Sequence, residues 1–172
     1  MKIYRLIPLL FLFTLSALAS PDDNAKSLGL VFKPKPQPSA TFVYAVRSGN
    51  LLFISGHISV TPQGKIIKGK LGKDLTTAQG NEAAKMAGIE VLATIVEQLG
   101  SLNAVERIVK VTGMVNASPE FTEHSQVING FSDLMVEVFG DKGQHARAAV
   151  GMSSLPANAA VEVEMILEIK PQ

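Results

Sequence analysis

Arg147 and Glu162 lie on either side of a Leu155-Pro156 turn in HARAAVGMSSLPANAAVEVEMILEI, residues 145–169. A guanidinium in a partly dry cleft offers a carboxylate two parallel N–H donors, a geometry that an ammonium does not copy. A carboxylate nearby can orient that fork, or move a proton on a substrate or a water. The same residues also read as a surface or interface salt bridge, Arg147 with Glu162 or Glu164. Spacing alone does not choose between the two.

Other reactive types carry less. His57, His124 and His145 lack metal-ligand spacing such as H-E-x-x-H, and the chain has no cysteine, so no metal site is expected. His57 follows Ser55-Gly56 at a strand end and His145 precedes Arg147 by two, so either could line a cleft or be an ordinary polar residue. Ser55 has no G-x-S-x-G context for a nucleophile. The loop with Gly64, Gly69 and Gly72 lacks the phosphate-binding pattern GxxxxGK[ST].

The elements that must position these residues follow from periodicity. TFVYAVR and LLFISGHISV are strand-like around a Ser48-Gly49-Asn50 hairpin signal, and KIIKGK suggests a short third strand. Ala83, Met86, Ala87, Val91 and Ile95 fall at helical spacing before a stop at Gly100. RIVKVTGMVNA is β-branched and strand-like. Ser118 as N-cap and Pro119 at the first position open a second helix, which ends at Gly140. Asn129-Gly130 within it costs helix propensity, so close packing is expected there. Two more strands make the order βββαβαββ, an α+β fold with two helices on one face of a mixed sheet. Alternation places Val161, Val163, Met165 and Leu167 under the helices. It leaves Arg147, Ala149, Glu162 and Glu164 together on the open face, which looks small and apolar enough to receive another subunit.

The chain begins with Lys2 and Arg5, an apolar run to Leu18, and Ala17-Leu18-Ala19, the pattern of a secretory signal cleaved after Ala19. The run is short for a permanent span, so no stable membrane anchor is expected after cleavage, and the location is periplasmic or secreted. Residues 20–40, with KPKPQPSA, read as a Pro-rich linker, and the folded domain as 41–172. Of 16 Lys and Arg, two leave with the leader, giving 14 against 15 acidic residues. A net charge near zero and no basic groove speak against a nucleic-acid partner.

GNLLFISGHI, then VKVTGMVN followed by SPEF, and above all ARAAV-x4-LP-x4-VEVE resemble the reactive-intermediate deaminase, or Rid/YjgF, family across residues 41–170. GKLGKDLT and VINGFSDLMVEVFG resemble a less characterised branch of it. The resemblance implies a chorismate-mutase-like α+β fold and a homotrimer whose open sheet faces meet around an axis. It also implies small carboxylates bound in clefts between subunits, without cofactor. Family deaminases hydrolyse enamines and imines, such as 2-aminoacrylate, to 2-oxo acids and ammonia. The arginine that grips the substrate carboxylate falls on Arg147, the acid that places the attacking water on Glu162, and the hydroxyl and backbone position on Ser55 and Gly56. Phe42 stands where the deaminases carry a tyrosine, and Ala149 where they often carry a cysteine, so the cleft is more apolar. A non-catalytic small-ligand-binding trimer is the alternative, and a ribonuclease the third reading.

Overall fold

A computed structural model of the chain describes residues 19–34, 38 and 40–171. The apolar leader, apart from Ala19, lies outside the described residues. One mixed sheet is built from β1 (Ala45–Ser48), β2 (Leu51–Ile58), β3 (Val105–Asn116), β4 (Ala146–Met152) and β5 (Val161–Ile169), in the order β1-β2-β5-β3-β4. Neighbours are antiparallel except β3 and β4, which run parallel and need a crossover. That crossover is α3 (His124–Phe139), which packs beside α2 (Thr77–Leu99) on one face of the sheet.

Both helices form for readable reasons. Thr76 caps α2 in a capping box with Gln79, and Gly100 ends it in the left-handed region at φ +79°. The buried stripe of α3, with Ile128, Phe131, Leu134 and Met135, shares one core with Val111, Val163, Met165 and Leu167 of the sheet. Each such side chain contributes roughly 1.5–3 kcal/mol on burial. The Gly130 position has its expected packing explanation. A Cβ there would lie 2.0 Å from the Asn81 carbonyl oxygen, so the backbones of α2 and α3 touch only because that carbon is missing.

Three expectations are corrected. KIIKGK adds no strand to the sheet, so the order is ββαβαββ. Its backbone folds onto the end of β2 and the turn before β5, with Ile67 N–H on the Ser59 carbonyl at 3.0 Å and Ala160 N–H on the Ile67 carbonyl at 2.9 Å. Only isolated bridges result, Val60 with Ile66 and Lys68 with Ala159. Ser118 does not cap α3, which starts at His124 after Glu123. The Ser118 N–H donates to the Leu71 carbonyl at 2.9 Å, so the chain is still following the path of β3 there. Finally, the linker-like stretch opens with a helix, α1 (Pro21–Ser27). Ser20 and Asp23 form a capping box with Pro21 at the first position. Asn24 Nδ2 donates to the Val138 carbonyl at 2.9 Å, and Ala25 is buried, so α1 belongs to the fold rather than to a spacer.

Candidate functional site

Strand register separates the two ionisable residues with which the sequence reading began. Arg147 is level with Val111, and Val111 with Met165, both buried under the helices. Glu162 is level with Met114, and Met114 with Val150, on the other face. The shared open face expected for Arg147 and Glu162 is therefore wrong: Arg147 points to the helix side with Ala149, and Glu162 to the open side. The small residues of β4 (Ala146, Ala148, Ala149, Gly151) carry no apolar alternation from which its parity could be read.

On the helix side, α3 holds the guanidinium. Nη1 donates to Asn129 Oδ1 at 2.9 Å and to Ser132 Oγ at 3.0 Å, and Nη2 donates to the Ser125 carbonyl at 3.4 Å. Ser125, Asn129 and Ser132 form one stripe at helical spacing. A guanidinium has five N–H bonds. Nε–H and one of the two Nη2–H bonds have no partner among the described residues. The helix thus holds the arginine chiefly through Nη1 and leaves donors on its Nε–Nη2 side. None of these three partners was singled out from the sequence for this role. The polar stripe at i, i+4 and i+7, set off from the apolar face of the helix, was the signal for them.

His145 belongs to the same cluster, with Nε2 at 3.0 Å from Ser132 Oγ and Nδ1 at 2.6 Å from the Gly143 carbonyl oxygen. The His124 ring rests against Gly151 and edge-on to Phe121, with 5.3 Å between centroids. It lines a cleft of about 460 Å³ with Lys70, Ser118 and Ser153 at the carboxyl end of β3 and β4. His57 is different. It is 4% exposed, with Thr94 Oγ1 at 2.7 Å and the Ser55 carbonyl at 2.6 Å, which makes it a core histidine and not a cleft residue.

On the open side, Glu162 meets Gly56, next to Ser55. The register between β2 and β5 shifts between Ile54 and His57, a bulge at the two residues singled out from the sequence. A Cβ on Gly56 would lie 2.0 Å from Glu162 Oε1, so the carboxylate rests directly against the bulge backbone. Burial, and secondly the charge of Glu164, push the Glu162 carboxyl above its ordinary pKa. The hydroxyl and N–H of Ser55 both donate to the Tyr44 carbonyl, at 3.1 and 3.0 Å. Phe42 is 51% exposed and stacks edge-on with Tyr44. Val46, Phe53, Val150 and Met152 are also exposed, which gives this face an uncovered apolar surface. A hollow of about 270 Å³ opens there among Val46, Phe53, Ser55, Lys110 and Glu164.

The chain therefore carries two candidate half-sites. One is the Arg147 guanidinium, held by α3 on the helix side of edge strand β4. The other is a carboxylate with a raised proton affinity on the open face.

A sequence profile described as "YjgF/chorismate_mutase-like, putative endoribonuclease" matches residues 40–169. Protein TCP17 of Trypanosoma cruzi is 41% identical over 147 residues, covering 85% of this chain and 92% of its own. A Dermatophagoides farinae protein named 2-iminobutanoate/2-iminopropanoate deaminase is 28% identical over 135 residues, 78% of this chain and 91% of its own. The crystal structure of a protein of unknown function from Agrobacterium tumefaciens is 38% identical with a TM-score of 0.80, covering 87% of this chain and 94% of that one. With the profile spanning most of the chain and the same mixed sheet under two helices, this protein belongs to the Rid/YjgF family.

Proposed function

We propose that the protein binds small 2-imino or 2-oxo carboxylates and hydrolyses imines and enamines to 2-oxo acids and ammonia. The observation that carries this reading is the Arg147 guanidinium, fixed by α3 yet with Nε–H and one Nη2–H unpaired among the described residues. A carboxylate seated there is held by two charge-assisted hydrogen bonds. Glu162 supplies the other half. A carboxylate whose proton affinity is raised by burial is suited to taking a proton from water as the oxygen adds to the C=N carbon. That proton then passes to nitrogen, giving a carbinolamine; the hydroxyl proton next moves, through the same carboxylate, to the amine, the C–N bond breaks as the C=O bond forms, and ammonia leaves a ketone in place of the imine. The mite relative named an iminobutanoate/iminopropanoate deaminase supports the same reaction class.

Because the two half-sites lie on opposite faces of one sheet, a working site takes Arg147 from one copy and Glu162 from a second. The exposed apolar open face supports a homotrimer in which that face is covered. On this reading the leader directs the protein to the periplasm or the exterior, and cleavage after Ala19 leaves no anchor.

The test is purified protein with enzymatically generated 2-aminoacrylate, following 2-oxo acid and ammonia. Turnover above buffer that is lost in Arg147→Ala supports the reaction. A second reading, binding without chemistry, is favoured by Ala149 beside the fork and by Phe42, whose ring carries no hydroxyl. It predicts calorimetric binding of pyruvate with no turnover. Cleavage of RNA, with 2-aminoacrylate untouched, would instead support the ribonuclease label.

A further inference from the structure

The hold on Arg147 does not end at Ser132. Its hydroxyl oxygen accepts from Arg147 Nη1 at 3.0 Å and stands 3.0 Å from His145 Nε2, while His145 Nδ1 stands 2.6 Å from the Gly143 carbonyl. One proton arrangement satisfies every group. Nδ1–H donates to the Gly143 carbonyl, the Ser132 hydroxyl donates to Nε2, and the Ser132 oxygen is left to accept from the guanidinium. That arrangement requires a neutral imidazole.

We propose that His145 is a positioning residue for Arg147, its neutral ring acting through Ser132 to hold the guanidinium against α3 with the unpaired edge presented to a carboxylate. This rests on the reading of Arg147 as the carboxylate site. Protonating the ring reverses the chain. Nε2–H then donates to Ser132, the serine proton loses its acceptor, and one hydroxyl oxygen stands between two cations.

The surroundings of His145 favour the neutral form. Burial lowers its pKa, the Gly143 carbonyl opposes this, and the Arg147 charge lowers it further. From α3 the ring meets the Ser132 hydroxyl and the edge of Phe131, 6.3 Å between centroids. From the turn before β4 it meets the Gly143 carbonyl; Asp141 and Lys142 of that turn are exposed, and Lys142 pairs with Glu106 at 3.1 Å. Lys110 of β3, level with Ala146, lies on the opposite sheet face.

Positioning and simple electrostatics predict opposite signs. A protonated His145 adds positive charge near the fork, and by Coulomb attraction alone would tighten anion binding in acid. If His145 positions the fork, binding weakens in acid. Calorimetric titration of the intact protein with pyruvate at about pH 7.5, and at about one unit below the His145 midpoint read from its imidazole NMR titration, separates them. Wild type should weaken by roughly fivefold to tenfold at the lower pH, the scale of one ordinary hydrogen bond. His145→Gln accepts from Ser132 without titrating, so its affinity should stay within about twofold across the same range. Ser132→Ala should be weak at both pH values, and Ser132→Thr should restore the wild-type profile. In a parallel NMR titration of the imidazoles, the His145 midpoint should rise in Arg147→Ala.

Wild-type affinity that is flat or tighter in acid would overturn the proposal, as would a His145→Gln profile parallel to wild type. An unmoved His145 midpoint in Arg147→Ala would do the same without any ligand. If Arg147→Ala binds pyruvate like wild type, or wild type binds none, the carboxylate reading fails instead. The imidazole titration still decides the coupling.

Discussion

Gly130→Ala tests whether the packing of α3 on α2 sets the geometry of the Arg147 fork. The new methyl would sit 2.0 Å from the Asn81 carbonyl oxygen and 2.8 Å from its carbon. Backbone cannot swing aside as a side-chain tip does, so the two helices must part by about 1 Å to reach ordinary contact. Overpacking of this kind costs about 1–3 kcal/mol. Straining the Asn81 Nδ2 bond to the Gln126 carbonyl, 3.0 Å in the native chain, adds up to about 1 kcal/mol. Alanine returns about 1 kcal/mol of helix propensity. The net is a loss of about 2 kcal/mol, which for a chain of this size lowers Tm by roughly 4–8 °C.

The same displacement reaches the site. Asn129 is adjacent to Gly130 and Ser132 two residues on, and their bonds to Arg147 are 2.9 and 3.0 Å. Lengthening those by about 1 Å takes them out of hydrogen-bond range. Scanning calorimetry and pyruvate titration on one preparation read both effects, with affinity expected to fall about tenfold. An unchanged Tm would refute the packing argument. A lowered Tm with pyruvate affinity intact would refute the claim that α3 holds the fork.

Gly56→Ala pushes on a flexible carboxylate tip, so its stability cost should be small. It drives Glu162 off the bulge, and should cut 2-aminoacrylate turnover by about tenfold while pyruvate affinity stays within about twofold. Glu162→Gln should stabilise the protein near neutral pH. The folded carboxyl has a raised pKa, so its favourable contribution is full below the unfolded value of 4.5 and is lost as pH rises through the folded value. Tm of the variant should therefore exceed wild type at about pH 8, with the gap closing toward about pH 4. Intact-mass measurement of protein exported by a host carrying the full chain should place the mature N-terminus at Ser20, and an uncleaved Met1 would contradict the leader reading.

Much of the fold was legible because its signals are local or periodic. The apolar run of β5, the Gly49-Asn50 hairpin and the stops at Gly100 and Gly140 each act within a few residues. The misreadings arise where distant partners decide. Ser118 looks like a helix cap until Leu71 claims its backbone, and KIIKGK looks like a strand until its partners prove to be turns. Ser20-Pro21 carried a capping signal that the prolines downstream obscured. The site divides in the same way. Residue types and spacing named Arg147 and Glu162, and the family resemblance named Ser55 and Gly56. The face of Arg147 depended on the parallel register of β4 with β3, which small side chains do not encode. Asn129 and Ser132 became visible as its holders only once α3 was laid over that strand.

The opposite-face placement of Arg147 and Glu162 makes a demand that can be measured by mixing subunits. Arg147→Ala and Glu162→Gln proteins, each inactive alone, are unfolded together, refolded at equal amounts, and assayed with 2-aminoacrylate. If each site joins Arg147 of one copy to Glu162 of the next, random assembly leaves about one site in four with both native residues, and about a quarter of wild-type activity returns. If both residues served the same site from one chain, every site would lack one of them, and the mixture would remain as inactive as its parts.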